Sequence, residues 1–191
     1  SRMAEGKPRP QIFHYLSSLY MADGQNEKAV TTVDEGVRRY PGNVELLYQM
    51  GLVLERSGQH EEAVRVMQDV LAIDDEHAEA LNFLAYDFAL ANRNLDQALE
   101  YAERAFSLDQ APHILDTLGW VYYRLGRFQD ALNAIKDASR QLTEDAVVFE
   151  HLGEIHLALG NQKAARAAFE RALQLQPDNP DLREKLESLA D

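Results

Sequence analysis

The sequence predicts an all-α protein built from five copies of one 34-residue unit, each unit a pair of antiparallel helices. The first observation behind this prediction is a series of turn-forming residues spaced by 34: Gly24, Gly58, Asn92, Gly126 and Gly160. The second is a series of small residues at intervals of 34, 35, 33 and 34: Ala29, Ala63, Ala98, Ala131 and Ala165. Two parallel series with one period are typical of a repeat architecture.

The first helix of each unit is indicated by apolar residues at i, i+3 and i+7, which lie on one helical face. Phe13, Leu16 and Tyr20 show this spacing in the first unit. Glycine or asparagine then follows, because the chain turns through a left-handed conformation that these residues adopt at little cost. The small residues of the following segment predict a second helix whose backbone approaches the first one closely.

The period also predicts the domain organisation. Five units cover residues 10–43, 44–77, 78–111, 112–145 and 146–179. Residues 1–9 are a polar lead that we expect to be flexible. Residues 180–191 predict a capping helix, because Asn179 is a favourable N-cap and Pro180 suits the first helical turn. Leu182 begins an apolar stripe that would cover the last unit.

Two segments carry a family resemblance. They read L-D-T-L-G-W-V-Y at 115–122, followed by Ala131, and F-E-H-L-G-E-I-H at 149–156, followed by Ala165, Phe169 and Pro177. The chain thus resembles tetratricopeptide repeat proteins, whose pattern is W-x2-L-G-x2-Y, A-x3-F and P over 34 residues. It departs from the pattern in lacking the first Trp, in having Ser17 for Gly in the first unit, and in a one-residue slip near Asn94. The resemblance implies a right-handed α-solenoid whose first helices line a concave, partner-binding face.

The composition excludes several functions. The 191 residues include 19 Lys and Arg, 32 Asp and Glu and no Cys, which gives a net charge of −13 and excludes disulfides and thiolate metal sites. That charge disfavours nucleic acid and anionic membranes, and it argues against a helical RNA reader, which needs a basic groove. No apolar run reaches the length of a membrane span, and no signal peptide is visible in residues 1–9.

The sequence offers no convincing catalytic or metal-binding constellation. His151, Glu154 and His156 suggest a metal site, but residues five apart on a helix are rotated by about 140°, so the two imidazoles do not share a face. We therefore expect these side chains to lie on a solvated helix surface. The predicted protein is not an enzyme and uses no metal or cofactor.

A partner-binding groove is the predicted functional site. By the family resemblance, the second, fifth, ninth and twelfth places of each unit line the concave face. Large apolar and aromatic groups are concentrated at these places in the middle units, and Trp and Tyr are frequent interface anchors. The predicted groove residues are Tyr48, Leu52, Asn82, Tyr86, Asp116, Trp120, Tyr123 and Arg124. An alternative for Trp120 and Tyr123 is burial between neighbouring first helices.

The lining also indicates which ligands fit. Co-chaperones of this family that grip acidic tails have Lys at the fifth place and Asn at the ninth, and no unit here has that pair. The acidic residues Asp116, Glu150 and Glu154 instead favour an apolar or aromatic partner segment that carries basic residues.

Two further predictions concern biological setting and assembly. The strings L-N-F-L-A-Y-D at 81–87 and I-L-D-T-L-G-W-V-Y-Y-R-L-G-R at 114–127 look like bacterial multi-repeat proteins, some of them exported lipoproteins that serve as adaptors for proteases or envelope machines. This resemblance implies a periplasmic or outer-membrane setting, with the cytoplasm as the alternative. The N-terminal end lacks a capping helix, which favours a chain that is part of a longer array of repeats. The alternative function is an assembly subunit that self-associates through this end around Ile12 and Phe13.

Overall fold

The computed structural model describes residues 9–189, and every regular element in that range is an α helix. The helices are α1 (Pro10–Ala22), α2 (Asn26–Arg39), α3 (Val44–Arg56), α4 (His60–Ile73), α5 (Ala78–Leu90), α6 (Leu95–Leu108), α7 (Pro112–Arg124), α8 (Phe128–Ser139), α9 (Ala146–Ala158), α10 (Gln162–Leu175) and α11 (Pro180–Ser188). Apart from Arg9, the lead predicted to be flexible lies outside the described residues.

The predicted left-handed turns are confirmed. Gly24, Gly58, Gly126 and Gly160 have φ between 72° and 79°, and Asn92 takes the same conformation at φ 50°. After the first of these, the Gln25 N–H donates to the Tyr20 carbonyl at 2.8 Å and closes the end of α1. The one-residue slip is absorbed by Asn94, which is also left-handed, at φ 48°, and precedes α6.

The chain forms two compact units, Ser1–Ala80 and Leu81–Asp191. In the first unit, Ala29, Val33 and Val53 form a buried cluster. Phe13 is only 5% exposed, with its ring 6.4 Å from that of Tyr40. The prediction that Phe13 lies on a free N-terminal surface is therefore wrong, because the side chain packs against the end of the second helix.

The second unit shows why small residues recur at fixed places. A Cβ added to Gly153 would lie 2.4 Å from Cε1 of Phe169, and one added to Gly119 would lie 2.7 Å from Ile135. Phe169 and Ile135 are fully buried. The two helices of a pair therefore meet at a distance that only glycine on one side permits.

The helix predicted after the last pair is present. The side chain of Asn179 accepts hydrogen bonds from the backbone N–H groups of Asp181 and Leu182 at 3.0 and 3.2 Å, as an N-cap does. Leu182 is fully buried with Phe169 and Ala172 of α10. This packing fixes the position of α11, which brings Lys185 against Glu150 and Glu154 of α9.

Candidate functional site

The predicted groove residues divide between the two compact units. Tyr48 and Leu52 lie on α3 in the first unit. The other six lie in the second unit, on α5 and α7: Asn82, Tyr86, Asp116, Trp120, Tyr123 and Arg124.

In the first unit, Tyr48 and Leu52 are half-buried. The Tyr48 ring lies 4.8 Å from the His77 ring, and burial together with the charge of Glu79 raises the pKa of Tyr48 to about 12. The same unit has a cleft of about 280 Å³, whose lining includes residues at the predicted places. The cleft is lined by Pro10, Gln11, His14, Asn43, Glu45 and Leu46.

In the second unit, three rings form a continuous stack. The Trp120 ring lies 4.7 Å from that of Tyr123 and 4.1 Å from that of His151, at interplanar angles of 21° and 16°. The guanidinium carbon of Arg124 lies 5.9 Å from the centre of the Trp120 ring. Trp120 is consequently only 8% exposed. The indole is thus buried between neighbouring first helices, which is the alternative that the sequence left open. Tyr123 is half-exposed.

Asp116 is buried beneath this stack. Its residue exposure is 8%, and both carboxylate oxygens lie 3.1 Å from Nδ1 of His151, which is 4% exposed. The prediction that His151 lies on a solvated surface is wrong, and so is the prediction that Asp116 contributes a free surface charge. Each provides the hydrogen-bond partner that makes burial of the other tolerable.

A repeated contact explains this burial. His151 occupies the sixth place of its unit, and it contacts the fifth and ninth places of the preceding first helix, Asp116 and Trp120. At the equivalent place, Gln49 donates to Ser18 Oγ at 3.0 Å. The sixth place therefore faces the preceding first helix, and the 34-residue period is the signal that places Gln49 and His151 at this position.

Lys185 makes the same contact from α11. Its Nζ lies 2.6 Å from Glu150 Oε1 and 2.6 Å from Glu154 Oε1. Burial by itself would lower the pKa of Lys185, but the hydrogen bonds to both glutamates outweigh it and raise the pKa. The two carboxylates that the sequence assigned to ligand attraction are already paired within the chain.

Two polar atoms near the stack lack a hydrogen-bond partner among the described residues. They are Oδ1 of Asn82 and Nε1 of Trp120, both buried. Thr117 occupies the sixth place of its unit, but its hydroxyl donates to the His113 carbonyl of its own helix at 3.3 Å and not to Asn82. An unpaired buried polar atom costs about 1–3 kcal/mol, so these two atoms lower the stability of the cluster.

Tyr86 completes the aromatic surface of the second unit. Its ring is 6.0 Å from that of His151, and the side chain is half-buried. Burial and the negative charges of Asp116, Glu150 and Asp145 raise the pKa of Tyr86 to about 12. The phenol therefore stays neutral at physiological pH and presents a hydroxyl group beside an apolar ring face.

The structure also locates the second imidazole of the H-L-G-E-I-H segment. His156 is 8% exposed, its Nδ1 lies 3.5 Å from Nδ2 of Asn161, and burial followed by the charge of Lys136 lowers its pKa. Within residues 9–189, no group of three or more metal-ligating side chains is close enough to hold an ion. No helix in that range is both long and apolar enough to cross a bilayer.

The helix pairs, repeated at one period, define a protein of the helical-repeat class. Models of the tetratricopeptide repeat match residues 20–86 and 117–180. The chain belongs to the tetratricopeptide repeat family, whose members are protein–protein interaction scaffolds.

Relatives and solved structures agree with this assignment. The TPR repeat-containing protein PA4667 of Pseudomonas aeruginosa is 31% identical over 156 residues, which cover 78% of this chain and 26% of that protein. The chain thus spans about a quarter of PA4667. The crystal structure of TTC0263, a thermophilic protein of this family in Thermus thermophilus, aligns with a TM-score of 0.74 at 22% identity, covering 95% of this chain and 98% of that one.

A further solved structure, YrrB, is described as a protein of the family with an unusual peptide-binding site. It aligns with a TM-score of 0.64 at 19% identity, over 92% of this chain and 90% of YrrB. At this identity the likeness concerns the fold alone.

Proposed function

We propose that the protein is a non-enzymatic scaffold or adaptor that binds a segment of a partner protein on the inner face of its first helices, with the principal site in residues 81–191. One observation carries this proposal, the ring stack of Tyr123, Trp120 and His151. Trp120 stacks on the rings of Tyr123 and His151, and the Tyr86 ring lies 6.0 Å from that of His151. The half-exposed Tyr86 and Tyr123 therefore belong to one closely packed aromatic cluster. Rigid aromatic side chains lose little conformational entropy on binding, which makes them effective anchors.

The contacts of the site favour an apolar or aromatic segment as the ligand. The half-exposed rings of Tyr86 and Tyr123 offer apolar contact area to such a segment. Since Glu150 and Glu154 are paired with Lys185, a basic residue of the partner would gain less from them than the sequence implied. The net charge of −13 still steers basic partners towards the chain.

The proposal is tested with a peptide selected from a random display library on the full chain. We expect Tyr86→Ala and Tyr123→Ala each to weaken binding of that peptide by roughly 30-fold, the equivalent of about 2 kcal/mol at an interface anchor. Leu108→Ala is the matched control, since Leu108 is a large apolar residue, 44% exposed, on α6 outside the proposed site. Calorimetry gives the dissociation constants, and equal affinities for all four proteins would show that the site is elsewhere.

We further propose a bacterial envelope setting, in which the chain links a protease or another machine to its partner. The proposal is supported by the resemblance of residues 81–87 and 114–127 to bacterial multi-repeat proteins and by the Pseudomonas relative. Fractionation of the source cells, followed by immunodetection, would place the protein in the periplasm and membrane fractions. Detection in the cytoplasm alone would contradict this setting.

A second function, assembly through self-association, is favoured by a different observation. On α1, Ile12, Tyr15, Leu16 and Leu19 are between 38% and 63% exposed. This surface belongs to the first compact unit. A protein that joins its own copies through α1 would present several partner sites at once, which raises avidity for a multivalent partner.

A further inference from the structure

Lys185 of α11 lies between the two carboxylates that the sequence assigned to ligand attraction. Its Nζ is 2.6 Å from Glu150 Oε1 and 2.6 Å from Glu154 Oε1. We propose that Lys185 is a specificity-determining residue, which makes the surface around the two glutamates accept an uncharged residue of the partner segment and disfavour lysine and arginine there. This inference rests on the first proposed function and names the chemistry of the ligand at that place.

The position of Lys185 is fixed by the packing of its own helix. Leu182 of α11 is fully buried against α10, and Nζ of Lys185 lies 5.5 Å from the centre of the Phe169 ring. The Lys185 side chain is 31% exposed, and those of Glu150 and Glu154 are 29% and 22% exposed. Partly buried ion pairs are screened less than fully exposed ones, so the ammonium group holds both carboxylates effectively.

The same ion pairs are connected to one of the proposed anchors, because the Tyr123 hydroxyl hydrogen-bonds to Glu154. Burial and the charge of Glu154 raise the pKa of Tyr123, and the positive charges of Arg124 and Lys185 partly offset that rise. Arg124 and Lys185 thus counter the negative charge of Glu154 beside the anchor. A partner residue that contacts Tyr123 therefore meets a surface on which both signs of charge are present.

A cleft of about 390 Å³ beside the ion pairs offers space for a side chain of the partner. Its lining consists of Glu150, Asp181, Glu184, Lys185 and Ser188. Lys185 supplies the positive charge of this lining, and Asp181 and Glu184 are exposed to water, which screens their charges. Removal of the ammonium group would leave three carboxylates around the same space.

A lysine or arginine of the partner in this cleft would meet the ammonium group of Lys185 and compete with it for the carboxylates. Like charges brought together at an interface discriminate strongly against a partner, and such repulsion is a common element of specificity. An uncharged side chain leaves the existing ion pairs intact and meets no repulsion. The structure therefore favours an uncharged residue at this place of the ligand.

Peptide selection on matched variants tests the proposal. A random display library is selected on the full chain as wild type, as Lys185→Met and as Lys163→Met. Methionine at position 185 keeps a side chain of similar length beside Phe169 and removes the charge. Lys163→Met removes the same charge from an exposed place on α10. Lysine or arginine should be enriched at one position of the peptides selected on Lys185→Met and in neither of the other sets.

Calorimetry with two peptides, identical except for Met or Lys at that position, measures the effect. The ratio of their dissociation constants should change by roughly tenfold between the wild type and Lys185→Met, in favour of the Lys peptide, and should stay unchanged in Lys163→Met. A ratio taken on one protein cancels any general loss of affinity. The double variant Glu150→Gln/Glu154→Gln is the reverse test, because it leaves Lys185 without these two partners and should enrich aspartate or glutamate.

The outcomes separate this inference from the first proposed function. Selected peptides that bind Tyr123→Ala and Tyr86→Ala as tightly as the wild type would overturn both. Peptides that depend on these tyrosines, with one charge preference on the wild type and Lys185→Met, would overturn the role of Lys185 alone. An equal shift in Lys163→Met would assign the effect to net charge and also overturn it. If Lys185→Met loses helical content by circular dichroism, the reverse test decides.

Discussion

Replacing His151 by Phe tests whether the buried contact between neighbouring first helices stabilises the second compact unit. The phenyl ring preserves the 4.1 Å stack on Trp120 and removes only the hydrogen bond to Asp116. The Asp116 side chain, 12% exposed, then stays buried without its partner. Leaving such a group unsatisfied costs about 1–3 kcal/mol, and we expect about 2 kcal/mol.

For a chain of this size, each kcal/mol lowers the melting temperature by about 2–4 °C, so His151→Phe should lower it by about 4–8 °C. Urea unfolding followed by circular dichroism gives the free energy, and fluorescence of Trp120, the single tryptophan, reports on the stack itself. His14→Phe is the control, because His14 is an exposed first-helix histidine.

A double-mutant cycle decides whether the effect belongs to the pair. Asp116→Ala and His151→Phe are measured separately and together, and we expect a coupling energy of about 1–2 kcal/mol. A coupling below about 0.5 kcal/mol would mean that the two residues act independently. In that case the sixth-place contact is a consequence of packing and does not stabilise the unit.

Two further predictions concern packing and acid sensitivity. Gly153→Ala should destabilise the chain by about 1–3 kcal/mol, because the new methyl group would overlap the Phe169 ring, and Phe169→Leu in the same chain should recover part of the loss in a urea titration. A neutral Gly153→Ala would contradict the close approach of the two helices. His156 has a lowered pKa in the folded chain, so the unfolded chain takes up its proton first as the pH falls. Its stabilising contribution is complete above about pH 6.5 and is lost as the pH falls through the folded pKa. The urea midpoint should therefore fall between about pH 7.5 and pH 5.5, by less in His156→Gln, and an equal fall in both proteins would assign the effect to other groups.

The repeat, the helices and the turns follow from local features of the sequence. Gly24 and Asn92 are in left-handed turns because few other residues adopt that conformation cheaply, and that preference acts within a few residues. Small residues such as Gly153 mark close helix approach, and their period locates them without any knowledge of the tertiary structure.

The candidate site was only partly predictable. The sequence placed Tyr86, Tyr123 and Asn82 on first helices at the partner-facing places, and their binding role remains a prediction. For Trp120 it left open an accessible anchor or burial between first helices, and the structure buries the side chain. The difference arises because exposure depends on the neighbouring helix, and the sequence of one helix does not contain that neighbour.

The sequence by itself determined the periodic architecture, because glycine conformations and helical spacing are local properties repeated every 34 residues. Only the tertiary structure decided which polar groups are buried. Asp116 and His151 are 35 residues apart and meet because successive first helices lie side by side in one register. The same packing pairs Lys185 with Glu150 and Glu154, so the acidic groups that the sequence offered to a ligand already have a partner in the chain.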